Sequence, residues 1–267
     1  MQSVIQGPAR GRLEDITRRA PVVGAALGWL GRYGELALLG LTTLGMLLTI
    51  WAAFIYAPTE LVEGPVQRIF YVHVPLAWIS YLAFFFVLVG SALYLWRRDD
   101  RWDSFARVNA EIGVVFTTLV LISGSLWGRA FWGAWWVWDE RLTTSLLMWF
   151  IYVGYLALRS FTGRTASGAR AAAVVGILGF IVTPINYMSV KWWRTLHPDQ
   201  VLPLGGTPQL PGSMITALMI SLATFTLLYA LLAIEVYKLE RAQTLAESLR
   251  VEAELLEADE QAPAGGQ

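Results

Sequence analysis

Trp127-Gly128-Arg129-Ala130-Phe131-Trp132-Gly133-Ala134-Trp135-Trp136-Val137-Trp138-Asp139 separates two long apolar runs. Five of the chain's thirteen tryptophans fall within these thirteen residues, so the segment is neither ordinary loop nor ordinary membrane helix. Indole is flat, bulky and amphipathic, which suits it to the boundary between bilayer and water. The cluster is therefore either a dense interfacial anchor or a platform for a flat ligand. An aromatic belt spreads its tryptophans over many helix ends, whereas these share one connection, and that favours the platform. At helical spacing Trp132, Trp135, Trp136 and Asp139 share a face, which predicts a short helix lying flat on the membrane.

The sequence on either side makes this a membrane feature. Of 267 residues, 56% are hydrophobic and 15% charged, against about 25% charged in a soluble domain. Apolar runs at 36–56, 74–96, 112–127, 142–158, 171–190 and 214–237 each approach the ~20 residues that cross a bilayer as a helix. The third gains length if it starts near Val108. The expected fold class is an all-α integral membrane protein with six transmembrane helices. Pro184 and Asn186 lie inside the fifth run and predict that its helix bends or ends early. Zero net charge gives no pull toward nucleic acid. The absence of cysteine removes disulfides, thiolate metal sites and a thiol nucleophile. No phosphate-binding Gly-rich loop occurs, and no charged residue sits mid-span to couple an ion gradient.

Lys and Arg orient the spans, being enriched in cytoplasmic loops. Arg10, Arg12, Arg18, Arg19, Arg32, Arg97, Arg98, Arg101, Arg107, Arg159, Arg164, Arg170, Lys238, Arg241 and Arg250 fall on one side of six crossings. Arg68, Arg129, Arg141, Lys191 and Arg194 fall on the other. This fifteen-to-five split predicts both termini in the cytoplasm. Three units follow: a cytoplasmic arm at 1–35, a six-helix domain at 36–237 and a cytoplasmic tail at 238–267. The arm reads as retained, with the apolar patch at 22–30 lying at the interface. In the tail Leu245, Leu249, Ala253 and Leu256 recur at helical spacing, which predicts a short amphipathic helix.

On this topology the only two histidines, His73 and His197, share the non-cytoplasmic side with the Trp-rich connection. Pro75 suits a first helical turn, so His73 is expected near an N-cap at the bilayer surface. His197 is expected in a loop before Pro198. Each alone reads as a loop residue; together, on one surface, they read as a ligand pair. Zinc takes three or four protein ligands, and the third would have to be Asp139. Haem iron needs two axial ligands and takes the rest from porphyrin. Two imidazoles beside a flat aromatic surface fit haem better. Asp139 also reads as the N-cap of the fourth span. Arg129 and Arg141 are candidates for haem carboxylates or for lipid headgroups. The small-residue match from Gly124 to Gly128 carries no functional reading.

Trp132-Gly133-Ala134-Trp135-Trp136-Val137-Trp138-Asp139-Glu140-Arg141-Leu142-Thr143 resembles the tryptophan-rich WWD signature of haem-handling membrane proteins. Arg68-Ile69-Phe70-Tyr71-Val72-His73-Val74-Pro75 and Ser189-Val190-Lys191-Trp192-Trp193-Arg194-Thr195-Leu196-His197 resemble segments of the cytochrome c maturation protein C (CcmC) family. The resemblance covers residues 36–237. Ala130 departs from it, standing where many relatives carry proline. The resemblance implies a multi-pass protein of the bacterial inner membrane that binds haem b (iron protoporphyrin IX) at the periplasmic face. His73 and His197 would be axial ligands. Trp132, Trp135, Trp136, Trp138 and Asp139 would form the haem-contacting surface. Implied partners are the periplasmic haem chaperone CcmE, the transporter subunits CcmA and CcmB, and the small subunit CcmD. Membrane lipids surround all of them. No catalytic residue is implied, and promotion of covalent haem attachment to the chaperone stays open. The competing reading is a bis-histidine cytochrome b-type electron-transfer protein.

Overall fold

The computed structural model describes residues 31, 33–198 and 210–261. The arm and its patch at 22–30 lie outside the described residues. Six helices are long and apolar enough to cross a membrane, and no strand is formed among the described residues. The chain is thus an all-α membrane protein, as its hydropathy requires. The helices are α1 (Tyr33–Tyr56), α2 (Phe70–Arg97), α3 (Asp100–Trp132), α4 (Glu140–Thr162), α5 (Ala166–Phe180), α6 (Val182–Trp192) and α7 (Gly212–Gln261). Together α5 and α6 make the fifth span.

Local chemistry sets the helix ends. Arg98 adopts a left-handed conformation (φ 56°) after α2, and Asp99 then caps α3 by accepting the Arg101 amide at 3.0 Å. At the other end of α4, Thr165 caps α5 through the Gly168 amide at 3.1 Å. The fifth span breaks at Ile181, as Pro184 predicts, because proline leaves the Phe180 carbonyl without its helical donor. The third span is far longer than 112–127, since α3 is helical from Asp100 to Trp132. The tail is not a separate short helix: α7 runs 50 residues without a break. At 1.5 Å per residue that is roughly 75 Å, against a hydrocarbon core of about 30 Å.

Helix α2 is the hub. One face packs Leu76, Ile79 and Ala83 against α3 and against Phe225 and Tyr229 of α7. Its other face sets Phe84 flat on Tyr152 of α4, with ring centroids 3.7 Å apart. Large exposed side chains such as Leu44, Leu47 and Phe54 point outward, as lipid-facing surface must. Ion pairs gather at one end of the bundle. There Glu240 of α7 meets Arg164 at 2.8 Å and Arg107 at 3.6 Å, and Arg159 meets Asp103. The Trp-rich connection lies at the opposite end.

Arg159 is only 2% exposed as a side chain and Asp103 14%, so this pair is desolvated on both sides. Asp103→Ala strands the guanidinium and is expected to destabilise the fold by about 3 kcal/mol. Removing both charges, in Asp103→Ala/Arg159→Met, should restore most of that loss. Thermal unfolding in detergent, followed by tryptophan fluorescence, reads both; equal stability in parent and Asp103→Ala would refute the assignment.

Candidate haem site

A short 3-10 turn, Pro65–Ile69, precedes α2 and is entered through Gly64 at φ 63°. Helical backbone is therefore already established before His73. The side chain lies inside α2 and is 9% exposed, not at a surface cap as the position of Pro75 predicts. Trp127 meets the imidazole edge-on, with ring centroids 5.7 Å apart. His73 Nδ1 lies 2.9 Å from Ser123 Oγ. A Cβ on Gly124 would stand 3.1 Å from His73 Cε1, so the missing side chain makes room for the ring. Gly128 likewise admits Trp132, whose ring a Cβ there would meet at 3.1 Å. The small-residue spacing of 124–128 thus serves the site itself.

Trp127 is held in turn by Glu63, which accepts its indole N–H at 3.0 Å. Burial pushes the Glu63 carboxyl above its usual range; the Trp127 hydrogen bond opposes that shift and nearby Glu60 adds to it.

The Trp-rich connection is not a flat helix. Gly133 turns left-handed at φ 75° and stops α3 at Trp132. The Arg129 guanidinium donates to the Gly133 carbonyl, which ties that side chain to the helix end. Beyond it the backbone to Asp139 is non-helical, so the four residues expected on one face part company. Trp132 and Trp136 line a cavity. Trp135 and Trp138 are 59% and 76% exposed and point away, although Trp138 touches Trp136 edge-on. The Trp136 indole N–H is buried with no acceptor among the described residues.

Asp139 caps α4, as its position predicts, accepting the Leu142 amide at 3.0 Å. Its second oxygen accepts the Leu196 amide at 2.8 Å. One buried carboxylate therefore fastens the His197 loop to the end of the Trp-rich segment. Within that loop His197 Nδ1 lies 2.9 Å from the Pro198 carbonyl. A carbonyl can only accept, so Nδ1 carries the proton and the Nε2 lone pair stays available. Desolvation is the main cause that lowers the His197 pKa to about 4. Nearby Arg141 lowers it further, while the Pro198 bond and Asp139 oppose.

Arg141 is fixed by a residue the sequence reading used only as a helix breaker. Asn186 accepts Arg141 at its backbone carbonyl. Its amide donates to the Arg141 carbonyl, Thr144 and Ser145 at 2.7–3.0 Å, and its side-chain oxygen accepts the Tyr81 hydroxyl. The break at Ile181 leaves Asn186 on the short α6, facing α4 across this network.

These segments enclose one cavity of about 810 Å³, within the range of small-molecule and cofactor sites. His73, His197, Trp127, Trp132, Trp136 and Arg141 line it. Apolar residues of α2, α3 and α7 continue the wall into membrane depth. Arg129, Trp135, Trp138 and Asp139 do not line it. Among the described residues no three His, Asp or Glu side chains converge to hold a metal ion. The cavity's polar lining includes the two imidazoles and the Arg141 guanidinium, with Glu60, Glu63 and Gln67 at the α2 entrance and the hydroxyls of Tyr81 and Ser145. The imidazole pair and the aromatic walls suit a flat macrocycle that supplies its own four metal ligands.

Two measurements check this geometry without any ligand. His197 should stay neutral to about pH 5 and gain its proton only near pH 4, read by NMR of histidine-labelled protein; a midpoint near 6.5, the ordinary value, would refute the desolvation that lowers it. Asp139→Ala should speed hydrogen exchange at the Leu142 and Leu196 amides together, at a cost of about 1 kcal/mol. Unchanged exchange at Leu196 would refute the tether.

A family model described as heme exporter protein C (CcmC) matches residues 27–252. Heme exporter protein C of Bradyrhizobium diazoefficiens is 37% identical over 196 residues, covering 73% of this chain and 74% of that protein. The Escherichia coli K12 protein of the same name is 38% identical over 171 residues, covering 64% and 68%. A ccmC-like mitochondrial protein of cytochrome c biosynthesis from Marchantia polymorpha is 36% identical over 185 residues, covering 69% and 76%. A family match over most of the length, with a relative of this identity and coverage, makes the chain a member of the heme exporter protein C family.

Proposed function

We propose that this protein holds haem b between His73 and His197 and passes it to the periplasmic chaperone CcmE during c-type cytochrome maturation. The observation that carries the reading is convergence. The chain's only two histidines come from α2 and from the loop after α6, yet they open onto one tryptophan-walled cavity. Haem is the cargo and would bring the iron and its four porphyrin nitrogens. Trp127, Trp132 and Trp136 supply apolar ring surface. Arg141, which lines the cavity, is the charged donor available for haem carboxylates.

In this reading the cavity end of the bundle faces the periplasm across the bacterial inner membrane. The ion-paired end, with Arg107, Arg159 and Arg164, faces the cytoplasm, a reading supported by the distribution of Lys and Arg. CcmA, CcmB and CcmD complete the assembly. Delivery is favoured over electron transfer because one imidazole pair at one end of the bundle provides no second site across the membrane. The chain's own part is to bind and orient the cargo, with no catalytic residue assigned.

The test is an absorption spectrum of detergent-purified protein from haem-replete cells. The parent should show a bis-histidine haem spectrum, altered in both His73→Ala and His197→Ala. Arg141→Ala should keep the ligation but weaken haem affinity about tenfold, the loss of a charge-assisted bond. A colourless parent, or histidine variants with the parent spectrum, would overturn the reading.

A further inference from the structure

Ser123 is not among the residues to which the sequence assigns a role. It lies on α3, and its hydroxyl meets the imidazole of His73 at Nδ1, 2.9 Å away. The same oxygen lies 2.7 Å from the Leu119 carbonyl and 3.3 Å from that of Val120. A serine hydroxyl has one proton and two lone pairs. Carbonyls only accept, so the proton goes to Leu119. The oxygen is then left to accept, and the imidazole must donate. His73 Nδ1 carries the proton, and Nε2 keeps its lone pair. Nε2 makes no hydrogen bond among the described residues, and the side chain lines the cavity.

The opposite tautomer is worse on both counts. It would turn the serine proton from the 2.7 Å carbonyl to Nδ1. It would also put the proton on Nε2, which has no hydrogen-bond acceptor among the described residues, and a donor without an acceptor is costly. Gly124, which has no side chain, lets α3 approach the ring at Cε1 and so brings Ser123 within reach of Nδ1. His197 reaches the same state by another route, through the Pro198 carbonyl. The two imidazoles therefore present the same nitrogen.

We propose that Ser123 is a positioning residue that holds His73 in the Nδ1–H tautomer, with Nε2 ready to ligate, and that its neutral hydroxyl keeps this ligand exchangeable. The inference rests on the haem reading above. A ligating histidine commonly donates its second N–H to a carboxylate, carbonyl or water, and a carboxylate raises its basicity and strengthens the metal bond. A hydroxyl already engaged with Leu119 orients the ring without adding negative charge. Such a ligand binds iron and can still give way when cargo must leave. The Asp139 carboxylate, which would have hardened a histidine, is spent on two backbone amides instead.

The experiment uses the full chain with Ser123→Ala, Ser123→Thr and Ser123→Asp. Nitrogen-15 shifts of labelled histidine in haem-free protein report the tautomer. The parent and Ser123→Thr should show His73 protonated at Nδ1, and Ser123→Ala should mix the two tautomers. In haem-loaded protein Ser123→Ala should weaken haem binding tenfold or more, with Ser123→Thr restored to the parent value. Ser123→Asp should lower the midpoint potential and slow haem loss to an excess of apomyoglobin. Parent-like tautomer and affinity in Ser123→Ala would overturn the role of Ser123. A parent that binds no haem, with the tautomer responding as stated, would overturn the haem reading and the exchangeability that rests on it, leaving only the tautomer lock. Circular dichroism of each variant separates these results from misfolding.

Discussion

One carboxylate holds the cavity end of the bundle together. Asp139 ends the Trp-rich segment, starts α4 and binds the loop that carries His197, all with its two oxygens. Two amides share this one acceptor group, and its N-cap bond alone is worth about 1 kcal/mol. Removing the bond to Leu196 would detach His197 from α4 while leaving the helices intact. Asp139 thus acts on the site without facing it. That also explains why it shares a sequence motif with the tryptophans yet does not line the cavity.

Three of the cavity's nitrogen-bearing side chains, His73, His197 and Arg141, have linked electrical roles. Its two imidazoles are held so that a lone pair remains, and desolvation disfavours protonation of His197. Arg141 reinforces this, because a fixed guanidinium repels a second positive charge. The same guanidinium attracts an anion, so one residue keeps the imidazole neutral and favours a negatively charged occupant. Arg141 is held by Asn186 of α6, which accepts the guanidinium at its backbone carbonyl and donates its side-chain amide to the Arg141 carbonyl.

Much of this was legible in the sequence. Apolar length announced six spans, Pro184 the broken fifth, and Asp139 its cap. What misled was periodicity. Trp132, Trp135 and Trp136 have helical spacing, but Gly133 sits among them, and its left-handed backbone stops α3 at the first tryptophan. The flat platform became an alternation of inward and outward rings. Likewise Pro75 reads as a helix start, yet Pro65 is an earlier one, and the extra turn carries His73 into the bundle. Ser123 left no signal of its own, Gly124 only a small-residue spacing without a functional reading, and Asn186 only a mark of the bent fifth span. A serine or glycine in a membrane helix is ordinary, and its meaning appears only when another helix supplies the partner.

The two histidines are held by unlike means. His73 sits in a helix whose neighbouring residues, Phe70, Tyr71 and Leu76, are buried in the core. It cannot move without disturbing α3, because Ser123, Gly124 and Trp127 contact its ring from one face of that helix. His197 sits in a non-helical loop, fixed at Leu196 by one side-chain bond and at its own ring by the adjacent carbonyl. The cavity thus joins one wall built by packing of α2 against α3 and α7 to another whose described part, Leu196–Pro198, is tied to the start of α4 through Asp139.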